Sequence, residues 1–374
     1  MKVVIISCFD TYLERVRLLK EYYLKKGYET LVILSDYSHR NKAYCTTYED
    51  VDIYAHAREY KKNLSIARLY SHYNFSKNVY KELNEIKPDI VHCLIPANSL
   101  VKFMKAYKIS NPDIKLYFDI IDLWPETMPI SKFKNVFPFS LWKNIRDKNL
   151  EYGDIIFTEC ELFQEVLKQE RNEKYKTLLW ANREIPKPLN TADFKSDEIV
   201  YCYLGSINNI IDIDLIIKIL LESKKYKKTS IQIIGKGEGK DIFVEKLNSI
   251  DVDVIDHGVV FNFEEKQKIF NQCNYGLNIM KSQVCVGLTM KSLDYLCGGL
   301  PIVNTISGDT CRLCRNKKIG WNISHENYKE VVRELCLESA SDQMSKRNNA
   351  RNVYLNNFTQ KEFERVLENC EKEI

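Results

Sequence analysis

The sequence predicts an α/β protein built from two doubly wound parallel sheets. Three observations carry this expectation. Short apolar runs alternate with longer amphipathic stretches, the alternation starts afresh near residue 198, and a proline-bearing irregular stretch at 185–193 separates the two series. Buried parallel strands read as continuous apolar runs, and the helices between them show a 3.6-residue period. A length of 374 residues suits two such domains.

In the first series, residues 3–7, 29–35, 90–94, 116–121 and 155–158 read as strands, and 12–26, 60–86 and 140–151 as helices. In the second, strands at 200–204, 230–234, 252–256, 275–280 and 301–305 alternate with helices at 213–223, 240–249, 264–271 and 291–296. The linker falls at 183–197, which gives an N-terminal domain over 1–185 and a C-terminal one over 198–356. Residues 357–374 read as one amphipathic helix opened by a capping box from Thr359 to Glu362.

Composition narrows the function classes. With 45% hydrophobic and 28% charged residues, the chain is neither disordered nor collagen-like. No apolar run approaches the roughly 20 residues of a membrane span, and Met1 to Ser7 reads as a first strand rather than a signal peptide, so a cytoplasmic protein is expected. The cysteines fall singly in apolar runs, and the pair Cys311 and Cys314 has no matching second pair, so reduced thiols are expected rather than disulfides or zinc. The net charge is +4, and residues 51–150 hold 16 basic and 10 acidic side chains. That excess is too small for a dedicated nucleic-acid binder, but it suits an anionic membrane surface or a phosphate-bearing substrate.

In open sheets of this kind ligands bind beyond the carboxyl ends of the strands. The most informative such stretch is Gly287-Leu288-Thr289-Met290-Lys291-Ser-Leu-Asp294-Tyr-Leu-Cys-Gly-Gly299-Leu-Pro301. Thr289 is placed to cap a helix whose free N–H groups suit a phosphate. Lys291 adds charge in the first turn. Asp294 lies three residues on, where a carboxylate can take ribose hydroxyls. The plainer reading, a helix with a surface Lys and Asp, is equally consistent with these residues alone.

That run resembles the nucleotide-sugar signature of GT-B glycosyltransferases, above all the retaining family four found in capsule and O-antigen synthesis. Asp294, Gly299 and Pro301 occupy its places, and Lys291 matches a lysine of many capsule-type members. Asp119 to Glu126, Gly153 to Thr158 and the turn at Gly235 and Gly237 extend the likeness along the chain, and the last helix resembles one that crosses back to the first domain. The resemblance implies two Rossmann-like domains facing across a cleft. It implies sugar transfer from a nucleoside-diphosphate donor to an oligosaccharide, commonly lipid-linked, with no metal or other cofactor.

Two departures stand out. The first of the family's two acids would fall on Val286, which leaves the stereochemical outcome open. Its Gly-Arg and lysine after the first C-domain strand are replaced by Gly205, Ser206, Asn208 and Asn209, which offer only neutral donors. Gly235 and His257 are placed near the base or sugar, though a lone strand-end histidine is more often solvated. Asp212 and Asp214 have metal-site spacing, yet Asp212 is better read as an N-cap.

On the acceptor side, Asp122 is the candidate to accept a hydroxyl proton, with Glu126 as its substitute. Asp10, Arg15, Arg68 and His72 are candidates to shape the pocket, and Arg15 or Arg17 to face a phosphate. The mixed basic and aromatic segment 132–148 suits peripheral contact with the inner membrane face. Two other readings are a non-catalytic sugar-nucleotide-binding subunit and a nucleotide-sugar epimerase. A dehydrogenase is disfavoured because no Gly-x-Gly-x-x-Gly follows the first strand.

Overall fold

The computed structural model of the protein describes residues 1–128, 136–181 and 197–372. All of the linker expected at 183–197 except residue 197 lies outside these residues, as do 132–135 of the basic aromatic segment. The chain divides into two compact units, Met1–Ala181 with Gln360–Ile374, and Asn182–Thr359.

The first unit carries strands β1 (Lys2–Ser7), β2 (Glu29–Ser35), β3 (Tyr37–Ser38), β4 (Ala43–Tyr44), β5 (Ile53–Ala55), β6 (Ile90–Ile95), β7 (Lys115–Ile120), β8 (Ile155–Thr158) and β9 (Tyr175–Thr177). Its helices are α1 (Leu13–Lys25), α2 (Ile66–Ile86), α3 (Asn98–Ser110), α4 (Phe139–Asp147) and α5 (Glu161–Leu167). Seven strands pair in parallel in the order β5-β2-β1-β6-β7-β8-β9, with β3 and β4 as a separate hairpin. Val3, Val4, Ile5 and Ile6 are fully buried, because helices cover both faces of a parallel sheet.

The second unit carries β10 (Glu198–Leu204), β11 (Lys228–Ile234), β12 (Asp253–Asp256), β13 (Tyr275–Asn278), β14 (Ile302–Asn304) and β15 (Gly320–Asn322). Among them run α6 (Ile213–Ser223), α7 (Lys240–Ser249), α8 (Phe263–Asn271), α9 (Met290–Cys297) and α10 (Asp309–Lys317), followed by α11 (Tyr328–Leu337) and α12 (Ala340–Asn357). The order is β12-β11-β10-β13-β14-β15. Side chains cap several of these helices: Asp212 Oδ1 accepts from Leu215 N–H at 3.0 Å, and Thr289 Oγ1 from Ser292 N–H at 3.1 Å.

The predicted fold class is the one observed. Boundaries differ in places. The helix expected from residue 60 begins at Ile66, where the Ser65 hydroxyl accepts from Arg68 N–H at 3.2 Å. The last helix, α13 (Gln360–Lys372), starts three residues later than expected, because α12 runs to Asn357. It packs in the first unit, with Tyr22 bonded to Glu371 at 2.9 Å and Phe363 beneath the Arg15 guanidinium at 4.8 Å. Cys8, Cys93 and Cys202 are buried free thiols.

Candidate active site

Strand order reverses between β10 and β13, so the loops after these two strands flank the switch point of the second sheet. The loop after β10 opens at Gly205, whose φ is +113°. A Cβ there would lie 3.7 Å from Lys291 Cε, so Lys291 lies beside this backbone. The Lys291 side chain is 9% exposed, and its Nζ has no hydrogen-bond partner. It stands 4.7 Å from the Tyr203 ring centroid, a cation–π contact. Burial lowers its pKa from the ordinary lysine value to about 8. A buried cation in the first turn of α9 without a hydrogen-bond partner carries an uncompensated desolvation cost.

The start of α9 is held by polar groups that the sequence reading did not single out. Buried Asn278, at the end of β13, accepts from Thr289 Oγ1 at 3.3 Å and donates to Asn304 Oδ1 at 3.0 Å. Asn304 in turn donates to Asn322 at 2.9 Å. The signal was partial: Asn304 ends an apolar run, whereas Asn278 lies inside one. The Gly287 carbonyl accepts from Thr310 N–H and Oγ1, both at 2.9 Å, which fixes the loop before α9. Leu288 is buried and Met290 is exposed. Asp294 accepts from Lys266 Nζ of α8 at 3.0 Å, a partner that sequence spacing did not reveal.

The neutral residues of the Gly205 loop divide their work. Asn208 Oδ1 accepts from Ile210 N–H at 3.2 Å and the Ser206 carbonyl from Tyr203 Oη at 2.9 Å, while Ser206 and Asn209 are exposed. Gly235 has φ +150°, and a Cβ on it would meet Gly205 O at 2.0 Å. The glycine at this turn is thus required by contact between two loops. His257 bonds Gln232 at 2.8 Å, which ties its ring to the neighbouring strand. Val286 packs partly buried against the hydrophobic core of the unit. Asp212, besides capping α6, pairs with His325 at 2.8 Å.

In the first unit the order reverses between β1 and β6. Four of the acceptor-side candidates are engaged in structural bonds. Arg15 is fully buried, forks onto Asp119 at 2.9 and 3.0 Å, and donates to the carbonyls of Leu178 and Leu179 at 2.8 and 3.0 Å. It is a core tie and not a surface cation. Arg17 pairs with Asp50 at 2.6 Å. Glu126 is buried and accepts both arms of Arg146 at 2.8 and 3.0 Å. Burial pushes its pKa up, but bonding to Arg146 outweighs this and holds it below the usual range. Asp10 accepts from Ser38 Oγ at 2.5 Å, His39 N–H at 3.1 Å and Tyr48 Oη at 3.1 Å, which clasps the β3–β4 hairpin.

Asp122, Arg68 and His72 form the remaining group. Asp122 accepts from Thr127 at 2.9 Å and Tyr12 at 3.3 Å, and burial raises its pKa. His72 stacks on Trp124 at 6.2 Å, and neither ring nitrogen has a partner. Burial, reinforced by the Arg68 charge, keeps it neutral. The Arg68 guanidinium lies 4.0 Å from the same Trp124 ring.

No family model and no curated protein matches the sequence. Solved structures do. Sucrose-phosphate synthase from Thermosynechococcus elongatus matches with a TM-score of 0.75 and 9% identity, over 100% of this chain and 98% of that one. Anabaena HepE in complex with UDP gives 0.72 and 11%, with both chains covered 100%. The lipopolysaccharide outer core galactosyltransferase WaaB gives 0.70 and 13%, over 100% and 99%. At these identities the likeness is one of architecture, and the chain has the GT-B fold.

Proposed function

We propose that the protein is a glycosyltransferase that moves a sugar from a nucleoside-diphosphate sugar to a hydroxyl of a lipid-linked oligosaccharide, in surface polysaccharide synthesis. The observation that carries this reading is Lys291, an unpaired cation beside Gly205 in the first turn of α9. A leaving diphosphate is the anion that such a place would serve. The N–H groups opening α9 add to the stabilisation, and they are oriented before the reaction starts. Asp294, steadied by Lys266, takes the ribose hydroxyls.

Asp122 is assigned to the acceptor. Its raised pKa brings the carboxyl closer to the range of a useful base. If configuration is retained, a leaving phosphate oxygen takes the acceptor proton and Asp122 orients the hydroxyl. The complex of HepE with UDP makes uridine nucleotides the first donors to test. Contact with an anionic membrane surface is supported by Val136, Phe137 and Leu141, which are 51%, 76% and 53% exposed in a basic stretch. No helix among the described residues is long and apolar enough to cross a membrane.

Val286 favours a second reading, a subunit that binds sugar nucleotide without turning it over. One experiment addresses both. The protein is titrated with uridine, guanosine and thymidine diphosphate sugars, and release of diphosphate is followed. Saturable binding of one donor with slow diphosphate release supports the transferase. Binding without release supports the silent subunit. A sugar altered while still joined to its nucleotide would point to an epimerase, and no binding would sink all three.

A further inference from the structure

Arg68 lies in the first turn of α2 and is 4% exposed. Its guanidinium sits among the rings of Trp124, Phe9 and Tyr60, at 4.0, 5.5 and 5.9 Å. Nη1 donates to the Asn63 carbonyl at 2.9 Å, but Nε and Nη2 are buried with no partner. A buried charge with unmet donors is costly, and aromatic faces compensate only part of that cost.

Arg68 also forms part of the wall of a cavity of about 190 Å³. The rest of that wall is largely apolar and includes Leu64, Leu69, Met128, Phe139 and Trp142. Leu64 and Ile66 beside it are 55% and 81% exposed. A cation with two unmet donors, its charge balanced only through space by Asp122, thus adjoins a hydrocarbon-lined hollow. Neither a free sugar nor an inorganic anion uses both features. A ligand with an anionic group joined to an apolar chain does.

We propose that this cavity and Arg68 form a subsite for a phosphate group bearing an apolar chain, and that its occupant is the lipid phosphate of the acceptor. The assignment rests on the reading of the acceptor as lipid-linked. The phosphate takes the open donors of Arg68, and the first part of the chain lies along Leu69, Phe139 and Trp142.

The test uses the full-length protein, with decyl phosphate, decanol and inorganic phosphate as probes below micelle-forming concentrations. Binding is followed by calorimetry. Decyl phosphate is expected to bind at least tenfold more tightly than either of the others. Arg68→Gln should remove that advantage and leave decanol unchanged, and Arg68→Lys should restore part of it. Leu69→Trp, which fills the hollow, should weaken both amphiphiles. Equal binding of decyl phosphate and decanol, or an Arg68→Gln variant indistinguishable from wild type, overturns the proposal.

A sedimentation assay with phosphatidylglycerol vesicles separates the sources. Vesicle binding unaffected by Arg68→Gln supports the acceptor phosphate, and its loss would transfer the subsite to a membrane phospholipid and overturn the assignment. Nucleotide-sugar binding is measured in parallel. Its absence beside intact decyl phosphate binding would sink the transferase reading while the amphiphile site stood.

Discussion

Under the proposed function, Lys291 is a residue kept for binding at a cost in stability. Its pKa, lowered to about 8 by burial, means that the fold bears a cost of about 3 kcal/mol for keeping the charge. Lys291→Met should therefore raise the melting temperature at pH 7, while donor binding weakens by about 1.5–3 kcal/mol, the worth of a charge-assisted contact. Calorimetry on donor and protein alone checks both. A variant that is less stable and binds normally would remove Lys291 from the site. The pH dependence has a definite sign. Below about 8 the lysine is charged in both folded and unfolded chains, so its penalty is constant. Between that value and the ordinary lysine range only the unfolded chain holds the proton, so stability rises with pH relative to Lys291→Met. Donor affinity moves the other way and falls as pH rises above about 8, and Lys291→Arg should flatten that profile. Lys291 was legible because it falls in the first turn of a helix that Thr289 caps locally, although Gly205 and Tyr203 beside it are distant in the chain. Arg15 was not: its partner Asp119 is distant in the chain, and nothing local distinguishes a core guanidinium from a surface one.

At the scale of elements, two of the positive-φ glycines of the second unit make a sharp comparison. Gly235 and Gly258 both have positive φ, +150° and +65°. Around Gly258 nothing lies within 4 Å of an added Cβ, so Gly258→Ala should cost about 1–2 kcal/mol, the penalty for a left-handed residue. At Gly235 the added carbon would meet Gly205 O at 2.0 Å, so Gly235→Ala must push the β10 loop away as well. More than about 3 kcal/mol is expected, together with weakened donor binding. Chemical denaturation of the two variants reads the difference, and equal losses would show that the loops yield freely. Elements were legible in proportion to their length and apolar content. Strands such as β1 and β11 read directly from their hydrophobic runs. The edge strands β5, β9 and β15 are three residues each and half-exposed, so they give no run and no alternation. Helix α3 was missed, although Leu100, Val101, Met104 and Tyr107 have helical spacing and are buried.

At the scale of the whole molecule, the chain ends by rejoining the unit in which it began. The contacts of α13 divide into two kinds. Lys25 with Glu364 and Lys26 with Glu368 are exposed pairs that contribute little. Phe363 and Leu367 are 2% exposed, and burying two such side chains stabilises by roughly 3–6 kcal/mol. Phe363 also covers Arg15, so removing the helix uncovers a guanidinium that holds β7 through Asp119 and the segment after β9 through Leu178. Ending the chain at Thr359 should therefore lower the stability of the first unit by several kcal/mol and leave the second nearly unchanged. Hydrogen exchange separates the two: amides of β1, α1 and β7 lose protection, and those of β10, β11 and β13 keep it. A peptide spanning residues 360–372, added in trans, should restore the lost protection, because the apolar stripe of α13 and its partner surface both remain intact. Protection lost equally from both sheets would show that the units unfold as one, and the last helix would then be a clamp on the whole molecule rather than a part of the first unit.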